Sequence, residues 1–263
     1  MATSFAVVTG ASSGIGFELA KQFAEHGFDL LVTAEDAELD RAAHELSAGG
    51  REVTAVRADL RRPDGVNDLY AAIRRAGRPV DAIALNAGVG QGGRFVEQSL
   101  DDISAVVQLN VASTVHLARL VVSDMVGRGA GRVLITSSIA SLMPGSYQAV
   151  YNASKSFLQS FAQALQSELA GSPVTVTALL PGPTDTEFFE RAGMARNTRV
   201  GQGSKDDPGQ VAAQGFAALM AGKRRVVGGG LSTRAQYVAG MVLPDRVKAA
   251  VHVLMARPQH RAA

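Results

Sequence analysis

The chain is predicted to be α/β, a single-domain doubly wound parallel sheet, and three observations predict it. Short β-branched apolar runs alternate with amphipathic stretches, the runs are almost continuously apolar, and a glycine-rich turn joins the first run directly to the first amphipathic stretch. Strict strand and helix alternation calls for parallel strands joined by right-handed crossovers. Apolar runs without a polar face are expected where helices cover both sides of a sheet. Strands are expected at Phe5–Thr9, Asp29–Ala34, Glu52–Ala58, Val80–Asn86, Arg132–Ser137 and Val174–Leu180, with a weaker one at Arg225–Val227. Helices are expected at Gly14–His26, Ala37–Ala48, Pro63–Ala76, Asp101–Val126, Tyr147–Ala170 and Pro208–Met220. Two irregular regions interrupt the pattern. Gly88 to Phe95 carries four glycines, and Pro181 to Asp207 holds Phe188, Phe189 and Met194. Loops at the carboxyl ends of parallel strands are where such sheets bind ligands, so both are expected to wall a pocket, the second as a substrate lid.

Composition narrows the function. At 263 residues, 46% hydrophobic and 19% charged, the chain can bury one large core. With no cysteine, disulfides, thiolate metal sites and cysteine nucleophiles are excluded. The five histidines, His26, His44, His116, His252 and His260, have no metal-ligand spacing, so no metal is expected. A net charge of +2 with interspersed signs provides no footprint for nucleic acid. The short basic run Lys223 to Arg225 reads as a solvated turn. The first strand begins after four residues and leaves no room for a secretory signal, so a cytoplasmic location is expected.

The chemistry is concentrated in two motifs. Thr9 to Gly16 reads TGASSGIG and runs from the first strand into the first helix. A glycine turn there exposes backbone N–H donors at the positive end of a helix dipole, a cradle for pyrophosphate. Gly10 permits the turn, Gly14 a close phosphate approach, and Gly16 close packing of helix on strand. The same residues fit GxSxG with Ser12 as a hydrolase nucleophile. That reading needs an acid and then a histidine downstream, yet only His252 and His260, in a basic tail, follow the last core strand, and the elbow normally follows a later strand than the first. The second motif is Tyr151 with Lys155 four residues on, one helix face, preceded thirteen positions earlier by Ser138 at the end of a strand. An ammonium beside a phenol favours the phenolate, and lowering its pKa from ~10 makes it a usable acid or base near neutrality.

Together these residues resemble the short-chain dehydrogenase/reductase family from about Phe5 to Val227. The matching motifs are TGASSGIG, Asp59-Leu60, Asn86-Ala87-Gly88, Asn110, Ser138, Tyr151 to Lys155, and Pro181-Gly182-Pro183-Thr184. The resemblance implies a Rossmann sheet of order 3-2-1-4-5-6-7, hydride transfer between a nicotinamide coenzyme and a secondary alcohol or ketone, and a catalytic set of Ser138, Tyr151, Lys155 and Asn110. Tyr151 would exchange the proton, Lys155 tune it and bind the nicotinamide ribose, Ser138 hold the substrate oxygen, and Asn110 order a water leading from Lys155 to solvent. Coenzyme contacts are implied for Gly10, Ser12, Ser13, Gly14, Ile15, Gly16, Glu35, Asp59, Leu60, Asn86, Ala87, Gly88, Tyr151, Lys155, Pro181, Gly182, Thr184 and Thr186.

Relatives that prefer NADP place basic residues after the second strand and in the glycine turn. Here Thr33-Ala34-Glu35-Asp36 and Ser13 stand there, so NAD is expected, although NAD-preferring relatives carry their acid one place earlier, at Ala34. The resemblance also implies a pocket lined by Gly90 to Phe95, Met143, Gln148, Gly182, Phe188, Phe189 and Met194. Its partners would be a small alcohol or ketone and, through the helices carrying Val115, Val121, Val122, Phe157, Leu158, Phe161 and Leu165, copies of itself in a homodimer or homotetramer. The sequence divides into 1–233, coenzyme-binding and catalytic, and 234–263, a C-terminal amphipathic extension of the same domain. Within the latter, Pro244 to Met255 is expected to be a helix that covers the cleft or packs on a partner subunit, membrane attachment being the weaker reading. A dinucleotide sensor without turnover is the competing class, against which the presence of all four catalytic residue types speaks.

Overall fold

A computed structural model describes residues 3–259. His260 and the end of the expected C-terminal extension lie outside the described residues. Seven parallel strands form one sheet: β1 (Phe5–Thr9), β2 (Asp29–Ala34), β3 (Val53–Arg57), β4 (Ala82–Leu85), β5 (Gly131–Thr136), β6 (Val174–Pro181) and β7 (Arg225–Gly228). Their order is β3-β2-β1-β4-β5-β6-β7, which reverses direction between β1 and β4. The crossovers are α1 (Gly14–Glu25), α2 (Glu38–Ser47), α3 (Pro63–Arg75), α4 (Leu100–Val106) continuing into α5 (Thr114–Arg128), α6 (Ala149–Glu168) and, after two one-turn helices α7 (Phe188–Arg191) and α8 (Arg199–Gln202), α9 (Pro208–Met220). Helices α10 (Leu231–Val242) and α11 (Asp245–Ala256) follow β7, and the expected division at 233/234 falls inside α10.

Successive strand residues point to opposite faces, and both faces are buried. Val7, Leu31, Ile83 and Ile135 join Leu69, Leu117, Met125 and Leu158 on one side. Ala6, Val8, Leu30 and Val32 join Leu19, Phe23, Leu39 and Phe216 on the other. This explains the continuously apolar strands.

Three departures from the sequence expectations have local causes. The helix expected at Asp101–Val126 spans Leu100–Arg128, and its turn Val107–Ser113 is widened into a π-helix around the fully buried Asn110. The helix expected from Tyr147 starts at Ala149, because Tyr147 has φ +63° and its carbonyl accepts a hydrogen bond from Gly93 N at 2.9 Å. Helix α10 was not expected. It follows three consecutive glycines, Gly228 to Gly230, and leaves Leu231, Val238, Met241 and Val242 exposed, so it lacks the buried stripe by which a helix is read. Asp206 fixes its start by accepting from Gly230 N at 2.9 Å and from the Thr233 hydroxyl.

The surplus apolar residues on the long helices divide. Val121, Val122 and Leu158 are buried against this chain's own sheet, and Phe161 and Leu165 pack on the same core. Phe157 stays 43% exposed and stacks on Phe161.

Candidate active site

The carboxyl ends of β1, β4, β5 and β6 open onto one cavity of about 570 Å³, closed from above by the loop after β6 and by α10 and α11. At one end lies the glycine turn. Gly10 and Gly14 have φ of +68° and +57°, values that a side chain resists. A Cβ on Gly16 would sit 1.9 Å from the Gly10 carbonyl oxygen, so only glycine lets α1 lie this close to β1. Ser13 is extended at the N-cap and provides no side-chain cap, so the first N–H groups of α1 stand at the cavity wall formed by Ser13, Gly14, Ile15 and Gly16. Uncapped donors at the positive end of a twelve-residue helix fit a pyrophosphate. The residues present therefore fit a dinucleotide.

Asn86 holds this end together rather than lining it passively. Its Nδ2 donates to Thr9 O at 3.2 Å and its Oδ1 accepts from the Thr136 hydroxyl at 3.0 Å, tying the ends of β1, β4 and β5. The Thr9 hydroxyl accepts from the Asn86 and Ala87 N–H groups at 2.9 and 3.0 Å. Thr186 reaches over from the β6 loop, its Cγ2 2.9 Å from where a Gly14 Cβ would be, while Thr184 donates to Gly182 O at 2.9 Å.

Tyr151 and Lys155, a turn apart on α6, are 9% and 5% exposed and both line the cavity. Lys155 Nζ donates to Thr136 O at 2.9 Å and lies 5.8 Å from the centre of the Tyr151 ring. Burial controls both groups. It pushes the Tyr151 phenol up to about 12, partly offset by the Ser138 hydroxyl, and brings the Lys155 ammonium down to about 8. The expectation that the cation lowers the phenol's pKa is thus reversed in the protein alone, because desolvation disfavours both charged forms. The phenol is held as an acid at neutral pH. Ser138, at the end of β5, donates to Pro181 O at 3.3 Å and accepts from Ala140 N at 3.1 Å, and its neighbour Ser137 instead donates to Lys155 O at 2.8 Å.

Asn110 stands behind the cavity. Its Oδ1 accepts from Val89 N at 2.8 Å, and its Nδ2 donates to Val89 O at 2.9 Å and to the Ser154 hydroxyl at 3.0 Å. These bonds place the loop carrying Gly88 and Gly90 on the same scaffold as Tyr151.

Glu35, Asp59 and Leu60 are not cavity residues. Beyond the outer end of the cleft, Arg61 is clasped by the Glu35 carboxylate and by Asp59, the latter at 2.8 Å, and this guanidinium holds the Asp59 carboxyl below its ordinary range. The Ser12 hydroxyl donates to Asp36 Oδ2 at 3.0 Å, and Arg191 of α7 stands 3.6 Å from the same oxygen.

Of the expected pocket residues, Gly90, Met143, Gln148, Gly182, Phe188 and Phe189 line the cavity. Met194 does not. It is 1% exposed in a small cluster with Phe189 and Ala256, and Phe95 turns outward at 56% exposed. Helix α11 covers the cleft as expected, bringing Lys248, Val251, His252 and Met255 to the cavity, whereas the contribution of Gln236 from α10 and of Leu243 just after it was not read from the sequence. The spacing of Lys248, Val251, His252 and Met255 on the predicted C-terminal helix was the available signal for the face that α11 presents. His252 is buried and neutral. Its Nδ1 donates to Ser146 O at 2.9 Å, and its Nε2 accepts from Asn152 Nδ2 at 3.3 Å, which pins α11 to the residues flanking Tyr151.

The family model described as short chain dehydrogenase matches residues 4–197. The chain is 40% identical over 200 residues to 1-deoxy-11-beta-hydroxypentalenate dehydrogenase of Streptomyces avermitilis, covering 74% of this chain and 73% of that one. It is 34% identical to oxidoreductase UcpA of Escherichia coli K12, covering 73% of each. Among solved structures, a short-chain dehydrogenase/reductase from Burkholderia phymatum in complex with NAD is 27% identical with a TM-score of 0.82, covering 99% of this chain and 98% of that one. A short-chain dehydrogenase from Sphingobium yanoikuyae in complex with NADPH is 28% identical with a TM-score of 0.79, covering 98% and 99%. The uncapped helix over a glycine turn and the buried tyrosine–lysine pair are thus set in a fold and family that agree with them, and the chain is an NAD(P)-dependent oxidoreductase of the short-chain dehydrogenase family.

Proposed function

We propose that this protein interconverts a secondary alcohol and a ketone with NAD(H), with Tyr151 as the general acid/base. The observation that carries the reading is the buried phenol at the centre of the cavity, between the glycine turn and the apolar walls of Phe188, Val251 and Met255. A bound nicotinamide coenzyme supplies or accepts the hydride. Tyr151 donates its proton to the carbonyl oxygen in reduction, and its high resting pKa keeps that proton in place until the oxygen gains charge. Ser138 hydrogen-bonds the same oxygen and strengthens that bond as the charge develops. Lys155, oriented by the Thr136 carbonyl, has two further protons for ribose hydroxyls. Asn110 fixes the loop through Val89 and ties it to Ser154 on the helix of Tyr151 and Lys155.

The preference for NAD is supported at the adenosine end. A 2′-phosphate would face the carboxylates of Glu35, Asp36 and Asp59, and Arg61 beside them is already held by two of these, while Arg57 donates to the Glu35 carbonyl at 3.4 Å. The outer faces of α5 and α6, with Val126 45% and Phe157 43% exposed, support a homodimer or homotetramer.

A screen of secondary alcohols and ketones with NAD(H) and NADP(H), followed at the nicotinamide absorbance, tests the reading. Turnover with a kcat/KM favouring NAD(H) is expected. No turnover of any carbonyl compound would end the enzymatic reading, and a tenfold or greater preference for NADP(H) would end the coenzyme reading.

A further inference from the structure

Four charged residues line the cavity, and three have evident occupations. Lys155 is bound to the Thr136 carbonyl beside Tyr151. Glu187 and Arg191 pair with each other at 2.6 Å beside the glycine turn. The fourth, Lys248, stands apart on α11, four residues before His252 and seven before Met255, hence on the helix stripe that faces the cavity. Its side chain is only 13% exposed, among Leu243, Val251 and Met255. Its sole ion-pair partner among the described residues is Asp245, 2.7 Å away but 81% exposed.

That asymmetry matters. A long lysine side chain normally reaches out into water, yet here most of the side chain is covered along the cavity wall while its carboxylate partner is the group left in solvent. Releasing Asp245 costs little, since an exposed carboxylate is readily rehydrated and such surface pairs are weak. A ligand anion arriving from the cavity side would meet Lys248 with less competing water, and the pair would be correspondingly stronger.

Resting on the reading of this cavity as a ketone/alcohol site, we propose that Lys248 anchors an anionic group on the substrate, which is a keto acid or hydroxy acid with an apolar body and a carboxylate remote from the reacting carbon. Tyr151 and Ser138 hold the oxygen at one end, and Lys248 holds the carboxylate at the other. One helical turn separates Lys248 from His252, whose hydrogen bond to Asn152 marks the Tyr151 end, so several bonds must lie between the two groups. Two-point attachment fixes which face of the carbonyl is presented.

The test is calorimetric binding of 8-oxononanoate and its methyl ester, which share a ketone and chain and differ in charge. Wild type should bind the acid about tenfold more tightly than the ester. Lys248→Met should abolish the difference with little effect on ester binding, Lys248→Arg should retain most of it, and Asp245→Asn should tighten acid binding by removing the competitor. Equal affinity for acid and ester in wild type, no measurable binding of the acid, or an undiminished preference in Lys248→Met overturns the proposal. Because binding is read without turnover, a protein that binds the acid through Lys248 but reduces neither compound would count against the ketone reading alone.

Discussion

The coenzyme end and the substrate end of the same cavity are built by different means. At the coenzyme end, backbone does the work: N–H groups of α1, two positive-φ glycines, and an Asn86 side chain that ties three strands. At the substrate end, side chains from two terminal helices and a loop do it, docked by pairs of hydrogen bonds such as those of His252 to Ser146 and Asn152 and of Asp206 to Gly230 and Thr233. A backbone cradle tolerates almost no change, because a Cβ at Gly16 has nowhere to go. A side-chain wall can be exchanged residue by residue, which is how one sheet serves many substrates.

The comparison can be broken most severely where the two ends meet. Tyr151→Phe removes the proton donor and leaves the glycine turn untouched. Turnover should fall by about 10³-fold or more while the affinity for NADH, followed by its fluorescence, changes less than about threefold. Retained turnover would detach the chemistry from Tyr151, and lost NADH binding would show that the two ends are not separable.

A smaller effect is expected from pH. Lys155 titrates near 8 in the free protein because burial favours its neutral amine, so its cation is lost as pH rises through that value. With Tyr151 still protonated up to about 12, kcat/KM for reduction should decline above about pH 8, approaching tenfold per unit. A profile flat from pH 7 to 10 would mean that the charge on Lys155 does not serve the reaction.

The smallest effect belongs to the cover. Burial lowers the pKa of His252 below its ordinary 6.5, so its stabilising contribution is complete above that value and is lost as pH falls through it. Protonation would set an N–H against the Asn152 amide donor. His252→Gln keeps a donor and an acceptor without titrating. Between pH 7.5 and 5.5 the wild type should lose about 2–4 °C more in Tm than this variant, corresponding to about 1 kcal/mol. Parallel curves would sharpen the contrast differently, by showing that α11 is held by packing alone.

Legibility followed the same division. Every strand and the expected crossover helices were readable, since β-branched runs and helical periodicity are local properties and the glycine turn is contiguous in sequence. The residues around Tyr151, Lys155 and Ser138 were legible because a helix turn and a strand end fix their spacing. Arg61, His252 and Lys248 were not. Nothing near Glu35 in sequence announces that Arg61, twenty-six residues on, will clasp it. The direction of the Tyr151 shift also escaped, because spacing reveals the neighbouring charge but not the depth of burial that outweighs it.

By itself, then, the sequence determined the sheet order's ingredients, the phosphate cradle and the identity of the acid/base pair, all set by residues within one or two elements. The tertiary structure alone decided that α10 joins α11 over the cavity, that His252 is neutral, and that Lys248 lines the cavity with a mostly covered side chain. Those properties depend on what two segments a hundred residues apart exclude from solvent when they pack, and dehydration belongs to the packed assembly of residues.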